Sequence, residues 1–169
     1  MLQEVHVYVE ASSCLVEKRD RWTCMILELV ARNGKSGTMT GFTRQEATYN
    51  EAILHQLAVA LSRINRACDL HIHTQNNVVM VCMENYLEKW SGNGYVNARG
   101  VPIKNADMWK EIHVWIDRHN VTYEHGPHPF LNWMKNELRH LEASNVDIGR
   151  GINIEKRGQN QAISARCPQ

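Results

Sequence analysis

Acidic and amide side chains stand where the predicted strands end and the predicted helices begin. Glu10 closes an alternating segment in which Val5, Val7 and Val9 share one face, and Gln75 closes a second alternating segment. The period of two is typical of half-buried strands. Oxygen-bearing side chains grouped at strand ends offer either a hydrogen-bonded polar cluster or ligands for a hard divalent cation, and both possibilities stay open.

Glu51 adds a carboxylate from a predicted helix. It starts an apolar stripe that continues through Leu54, so we expect it to face the sheet, whereas most helix acids face solvent. His71 and His73 share the strand face of Gln75, which makes a site that uses a histidine an alternative. Two histidines on a half-buried face are more often packed and hydrogen-bonded than bound to metal.

Composition excludes several classes of protein. Nineteen basic and eighteen acidic residues give a net charge of +1, which argues against a surface built wholly to attract nucleic acid. The five cysteines include no CxxC pair, so we expect reduced thiols rather than a zinc knuckle or a disulfide framework. The N-terminal residues lack the pattern of a signal peptide, and the longest apolar run, residues 78–83, is too short to span a bilayer. We therefore expect a cytoplasmic protein with no membrane partner.

The order of elements predicts a sheet with helices on both sides. Three short-linked strands suggest an antiparallel meander, and Thr43 to Glu46 fits a capping box that would start the first helix. A strand–helix–strand order requires a crossover, so the fourth strand should run parallel to the first. The predicted strands cover residues 5–10, 22–30, 37–43, 70–74 and 121–124. The later helices run to about residue 90, over 105–119 and on from the turn at 125–129.

Four segments in this order resemble motifs of ribonuclease H, specifically the bacterial type 1 enzymes that carry a basic handle. They are TQNNVV at 74–79, WSGNGY at 90–95, VPIKNADMW at 101–109, and His128-Pro129 followed by Asn132 and Asn136. The resemblance covers roughly residues 1–142 and implies an α/β fold, a five-stranded mixed sheet of order 3-2-1-4-5 with helices on both faces. Residues 143–169, poor in large apolar side chains, would form a flexible or loosely docked tail, with self-association through it a possibility.

The resemblance also implies a site. The family holds two divalent metal ions with four carboxylates, whose positions fall here on Glu10, Glu51, Gln75 and Asn136. Two of the four are amides, so the resemblance implies at most one weakly bound Mg²⁺ or Mn²⁺, held by Glu10 and Glu51. His125 is the nearest candidate for the family's mobile catalytic histidine.

These departures predict a nucleic-acid-binding protein whose catalysis is lost or strongly impaired. The alternatives are an active metal-dependent endoribonuclease that cleaves the RNA strand of RNA–DNA hybrids, and a protein-interaction scaffold. The expected partner is an RNA–DNA hybrid or duplex RNA, bound less tightly than in the family because the handle lacks its dense lysine run. The residues expected to contact it are Ser12, Asn76, Tyr95, Arg99, Lys104 and Asn105.

Overall fold

The computed structural model of the chain describes residues 1–148. The strands are β1 (Gln3–Ala11), β2 (Arg19–Val30), β3 (Ser36–Ala47), β4 (Cys68–His73) and β5 (Asn120–Glu124). The helices are α1 (Tyr49–Leu61), α2 (Asn77–Asn85), α3 (Leu87–Asn93), α4 (Ala106–Ile116) and α5 (Leu131–Ile148). No helix within residues 1–148 combines the length and the apolar character that crossing a bilayer requires.

The five strands form one mixed sheet of order β3-β2-β1-β4-β5, as predicted. β1 pairs antiparallel with β2, and β2 pairs antiparallel with β3, which confirms the meander. β1 pairs parallel with β4, and β4 pairs parallel with β5. Parallel pairing of β1 with β4 places the carboxyl ends of both strands at the same edge of the sheet.

Alternation along β1 divides the sheet into two unequal faces. Val5, Val7 and Val9 point toward the larger core, which the helices from α1 to α4 cover. Tyr8 points the other way and packs with Met134 and Leu138 of α5 in a smaller cluster. The helices therefore lie on both faces, and the side chains that alternate with the valines share the α5 face.

Two local predictions were wrong. The capping box that starts α1 is formed by Thr48 and Glu51, whereas Thr43 lies inside β3, paired with Thr23 of β2. The long hydrogen-bonded ladder between the two strands outweighs a local helix-start pattern. The single helix predicted to end near residue 90 is two helices, interrupted at Tyr86, whose backbone leaves helical geometry.

α5 continues to Ile148, past residue 142 where the sequence placed the end of the domain. The remainder of the predicted tail, residues 149–169, lies outside the described residues. Its flexibility and its part in self-association stay predictions.

Candidate active site

Glu10 and Gln75 meet at the shared carboxyl edge of β1 and β4. The strand pairing runs in register up to Tyr8 opposite His73, so the residues that follow come together. The backbone N–H of Gln75 donates a hydrogen bond to Glu10 Oε1 at 2.9 Å. The side chain of Gln75 does not point at this carboxylate, because its amide donates instead to the carbonyl of Gly126 at 2.8 Å.

His128 encloses the same carboxylate from the segment before α5. Its Nε2 lies 3.0 Å from Glu10 Oε1, and the two side chains are 1% and 4% exposed. The other ring nitrogen, Nδ1, is buried without a hydrogen-bond partner among the described residues. One oxygen of Glu10 therefore already has two protein donors in a nearly water-free setting, which satisfies much of what a buried carboxylate requires.

Glu51 has a more open setting. Its side chain accepts a hydrogen bond from the backbone N–H of Thr48 at 2.9 Å, and its own N–H donates to the Thr48 hydroxyl. The hydrogen bond from the Thr48 backbone is the main cause that lowers the pKa of Glu51, and Lys104 and Lys18 add favourable charge. The carboxylate therefore stays ionised at neutral pH, at the start of α1 and within reach of two lysine charges.

Asn76 joins the starts of two helices beside this edge. It is 1% exposed and caps α2 by accepting a hydrogen bond from the N–H of Val79 at 3.0 Å. Its amide donates to the side-chain oxygen of Asn50, directly before Glu51, at 2.8 Å. Asn76 thus fixes the position of α1 relative to β4, and little of its surface is available to a ligand.

Asn136 and His125 lie apart from this group. Asn136 is exposed on α5 and accepts a hydrogen bond from Arg139 on its own helix at 3.2 Å. None of the hydrogen bonds found within residues 1–148 joins it to Glu10. His125 is exposed, and its Nε2 lies 2.8 Å from an oxygen of Glu84 on α2. The geometry places His128, not His125, against the carboxylate of Glu10.

Two contacts at this edge of the sheet were not anticipated from the sequence. The first is His128 on Glu10, although the His128-Pro129 dipeptide was itself recognised. The second is Glu142 of α5, whose Oε1 accepts a hydrogen bond from the Ser12 hydroxyl at 2.5 Å. Glu142 thereby brings a carboxylate close to the end of β1. Its position eleven residues into α5 gave no local signal, since the partner lies 130 residues away in the chain.

The predicted nucleic-acid contacts differ in accessibility. Arg99 and Lys104 are exposed. Tyr95 is only 8% exposed and packs in the larger core, with Lys110 above its ring at 5.7 Å. Asn105 adopts a left-handed backbone, φ 60°, directly before the first residue of α4. Asparagine tolerates that conformation better than most residues, so a structural role accounts for it.

The model of the RNase H family matches residues 2–128. Ribonuclease H of Legionella pneumophila (strain Lens) is 27% identical over 128 residues, 76% of this chain and 83% of that protein. Ribonuclease HI of Neisseria meningitidis (serogroup A) is 30% identical over 102 residues, 60% of this chain and 65% of that protein.

Solved structures give the same fold. LC9-RNase H1, described as a type 1 RNase H with the type 2 active-site motif, has a TM-score of 0.65 at 18% identity, covering 83% of this chain and 71% of that one. The foamy viral protease-reverse transcriptase in complex with RNA/DNA hybrid has a TM-score of 0.57 at 17% identity, covering 79% of this chain and 19% of that one. The sheet and its helices thus define a ribonuclease-H-like domain. The chain belongs to the RNase H family. The family match ends at His128 and leaves α5, with Asn136, outside it.

Proposed function

We propose that this RNase H family member binds an RNA–DNA hybrid or duplex RNA and that its hydrolytic activity is lost or strongly impaired. The observation that carries the proposal is the enclosure of Glu10 by the Gln75 N–H and the His128 imidazole. A metal ligand must present oxygen lone pairs to the ion. Two protein donors on the same buried oxygen compete with the ion for those lone pairs.

The charge of the site supports the same proposal. The family arrangement has four carboxylates, whereas the corresponding positions here supply two carboxylates, Glu10 and Glu51, and two amides, Gln75 and Asn136. At an effective dielectric of about 20, one unit charge at about 4 Å contributes about 4 kcal/mol of attraction per cation charge. An amide oxygen provides only a dipole. The donor set therefore does not fit a pair of divalent ions.

Basic side chains support nucleic-acid binding near the cleft, the surface around Glu10, Glu51 and Gln75 at the carboxyl edge of β1 and β4. The positive charges of Lys104 and Lys18 both help to lower the pKa of Glu51, so these lysines lie within electrostatic range of the start of α1. Arg99 is exposed in the segment that precedes α4. Contacts of lysine and arginine with phosphates supply most sequence-independent affinity. Because two of the four family positions carry amides, these cations meet less negative charge at those positions.

The alternative is an active hybrid-specific endoribonuclease. The names of the curated relatives, ribonuclease H and ribonuclease HI, favour it, as does the ionised carboxylate of Glu51. A cleavage assay separates the two. The protein, in excess, is incubated with an end-labelled RNA–DNA hybrid and either Mg²⁺ or Mn²⁺. We expect no cleavage above that of Glu51→Gln. Cleavage that Glu51→Gln abolishes would overturn the proposed loss of activity.

Metal binding tests the charge argument without relying on activity. Gln75→Asp restores a carboxylate beside Glu10, and Asn136→Asp adds the same charge on α5. We expect calorimetry to show tighter Mn²⁺ binding for Gln75→Asp, while Asn136→Asp alone has a smaller effect because its side chain faces solvent and Arg139. If neither the single variants nor the double variant changes Mn²⁺ binding, the assigned site positions are wrong.

Binding to nucleic acid is tested by its dependence on salt. Lys104→Ala should weaken binding to a labelled hybrid and lower the slope of log K against log salt by about 1. Lys35→Ala is the matched control, because Lys35 is exposed in the turn between β2 and β3, far from the carboxyl edge of β1. Equal effects of the two variants would exclude the cleft as the binding surface.

A further inference from the structure

A second cluster of possible metal ligands lies on the α5 face of the sheet, away from the carboxyl edge. β1 supplies Glu4 and His6, and β4 supplies His71, which pairs directly with His6 in the strand register. One ligand atom from each residue lies within 4.8 Å of the others. Glu4 is exposed and the two histidines are half-buried, so an ion can reach the cluster from solvent.

The ring nitrogens are oriented by further partners. His71 Nδ1 lies 2.8 Å from an oxygen of Glu124 on β5, which leaves Nε2 of His71 for a metal. His6 Nδ1 lies 2.9 Å from Nε2 of His73, and His6 Nε2 lies 2.8 Å from Glu4 Oε1. Metal-binding histidines typically donate their second N–H to a carboxylate or another acceptor, which fixes the tautomer and orients the ring. Both histidines of this cluster already have such a partner.

We infer that Glu4, His6 and His71 form a binding site for a borderline divalent transition metal of the Zn²⁺ class, separate from the cleft. Two imidazoles and one carboxylate are ligands that zinc prefers, whereas Mg²⁺ prefers oxygen ligands alone. Three protein ligands leave a fourth tetrahedral position for water or a ligand from solution.

The distances of the cluster are close to those of a zinc site. One ligand atom of each residue lies within 4.8 Å of the others, whereas zinc–nitrogen bonds of about 2.0–2.1 Å in a tetrahedral site place two ligand atoms about 3.3 Å apart. The rings of His6 and His71 stack with their centroids 4.5 Å apart and an interplanar angle of 16°, so both must tilt toward a common ion when it binds. The Glu4 side chain is 50% exposed and is therefore free to follow them.

The site is independent of the candidate active site. His6 and Glu10 are four residues apart on β1, and a strand rises about 3.3 Å per residue, so about 13 Å separates them. This distance exceeds the reach of one ion. The inference therefore holds whether the cleft binds metal or not, and failure of one proposal leaves the other untouched.

Calorimetry with Zn²⁺ on the untagged, metal-free protein tests the inference. We expect one Zn²⁺ per chain with an affinity that falls at least tenfold in His6→Gln and in His71→Gln. The matched control is His113→Gln on α4. His113 also forms a His–Glu pair, with its Nε2 3.5 Å from Oε2 of Glu88. Glu51→Gln should also leave Zn²⁺ binding unchanged. Equal affinity in the wild type and His71→Gln, or an equal loss in the His113 variant, would overturn the site.

A second measurement needs no variant, in case a substitution in the sheet prevents folding. Co²⁺ takes the same ligands as Zn²⁺ and is paramagnetic, so it shifts the resonances of nearby imidazoles. In the wild-type protein we expect the signals of His6 and His71 to respond first to added Co²⁺, before those of His125 and His113. Earlier or equal responses of His125 and His113 would refute the inference. Tetrahedral visible absorption of Co²⁺ that Zn²⁺ displaces would support it.

Discussion

Arg21 is the only arginine buried within the described part of the chain, and removing it should destabilise the protein strongly. Its side chain is 1% exposed. It donates four hydrogen bonds to backbone carbonyls, from Nε to Ala47 at 3.0 Å, from Nη1 to Ser13 at 2.7 Å, and from Nη2 to Leu15 at 3.0 Å and Glu17 at 2.7 Å. These hydrogen bonds connect the end of β3 to the segment between β1 and β2 and stabilise the conformation of that segment.

The magnitude follows from these contacts. Arg21→Met keeps the length of the side chain and removes every donor. The Ala47 carbonyl belongs to a residue only 5% exposed, so leaving it without a partner costs about 1–3 kcal/mol. The three loop carbonyls belong to partly or fully exposed residues and can turn toward water. Loss of their charge-assisted hydrogen bonds to the guanidinium adds about 1–2 kcal/mol to the cost. This figure is net of the free energy that the variant regains because it no longer buries a charged group. The expected loss is about 3 kcal/mol.

Urea denaturation measures this loss. We expect the midpoint of Arg21→Met to fall with little change in the slope m, because the surface exposed on unfolding stays nearly the same. The matched control is Arg19→Met on the same strand, whose side chain is 42% exposed and whose contact with Glu17 is a surface ion pair at 3.7 Å. If the free energies of unfolding of the two variants differ by less than about 0.5 kcal/mol, the stabilising role assigned to Arg21 is wrong.

Three further predictions concern stability and thiol reactivity. Burial lowers the pKa of His119, so below about pH 6.5 the unfolded chain binds more protons than the folded chain and stability decreases as the pH is lowered; His119→Gln should flatten that dependence in urea titrations. Ile72→Ala should cost about 2–5 kcal/mol, because Ile72 is fully buried, whereas Val114→Ala at a side chain 55% exposed should cost under 1 kcal/mol. Cys14 is exposed and should react quickly with a thiol reagent at pH 8. Burial raises the pKa of Cys68 to about 11, so Cys68 should react only after unfolding, and equal rates for the two thiols would contradict the burial of β4.

Periodicity and connectivity were sufficient to predict the antiparallel meander of the first three strands and the parallel pairing of β4 with β1. The full order β3-β2-β1-β4-β5 was implied by the resemblance to ribonuclease H. The first helix start was misplaced because TRQE at residue 43 and TYNE at residue 48 both fit a capping box. The pairing of β3 with β2 decides between them, because it keeps residue 43 in a strand and leaves residue 48 free to start the helix. That pairing is a tertiary contact, so the local sequence pattern alone could not choose the correct helix start.

The candidate site was predicted in part. The sequence placed Glu10 and Gln75 at one edge, and the hydrogen bond between them agrees with that placement. It did not predict His128 on Glu10, because the turn of residues 125–129 offers two histidines and the spacing gives no preference. For the proposed zinc site of Glu4, His6 and His71, the sequence pointed only to a possible histidine site at His71 and His73. Glu4 and His6 are distant from them in sequence and come close only through the pairing of β1 with β4.

The contact between Glu10 and His128 joins residues 118 positions apart. Contacts of such large sequence separation close the largest chain loops and are entropically the most expensive to form early in folding. β1 can pair with β2 while Glu10 still faces water, and only the docking of the segment before α5 shields it. We expect a chain that stops short of that segment to leave this carboxylate hydrated, so the order in which the polypeptide assembles controls when the cleft acquires its final charge environment.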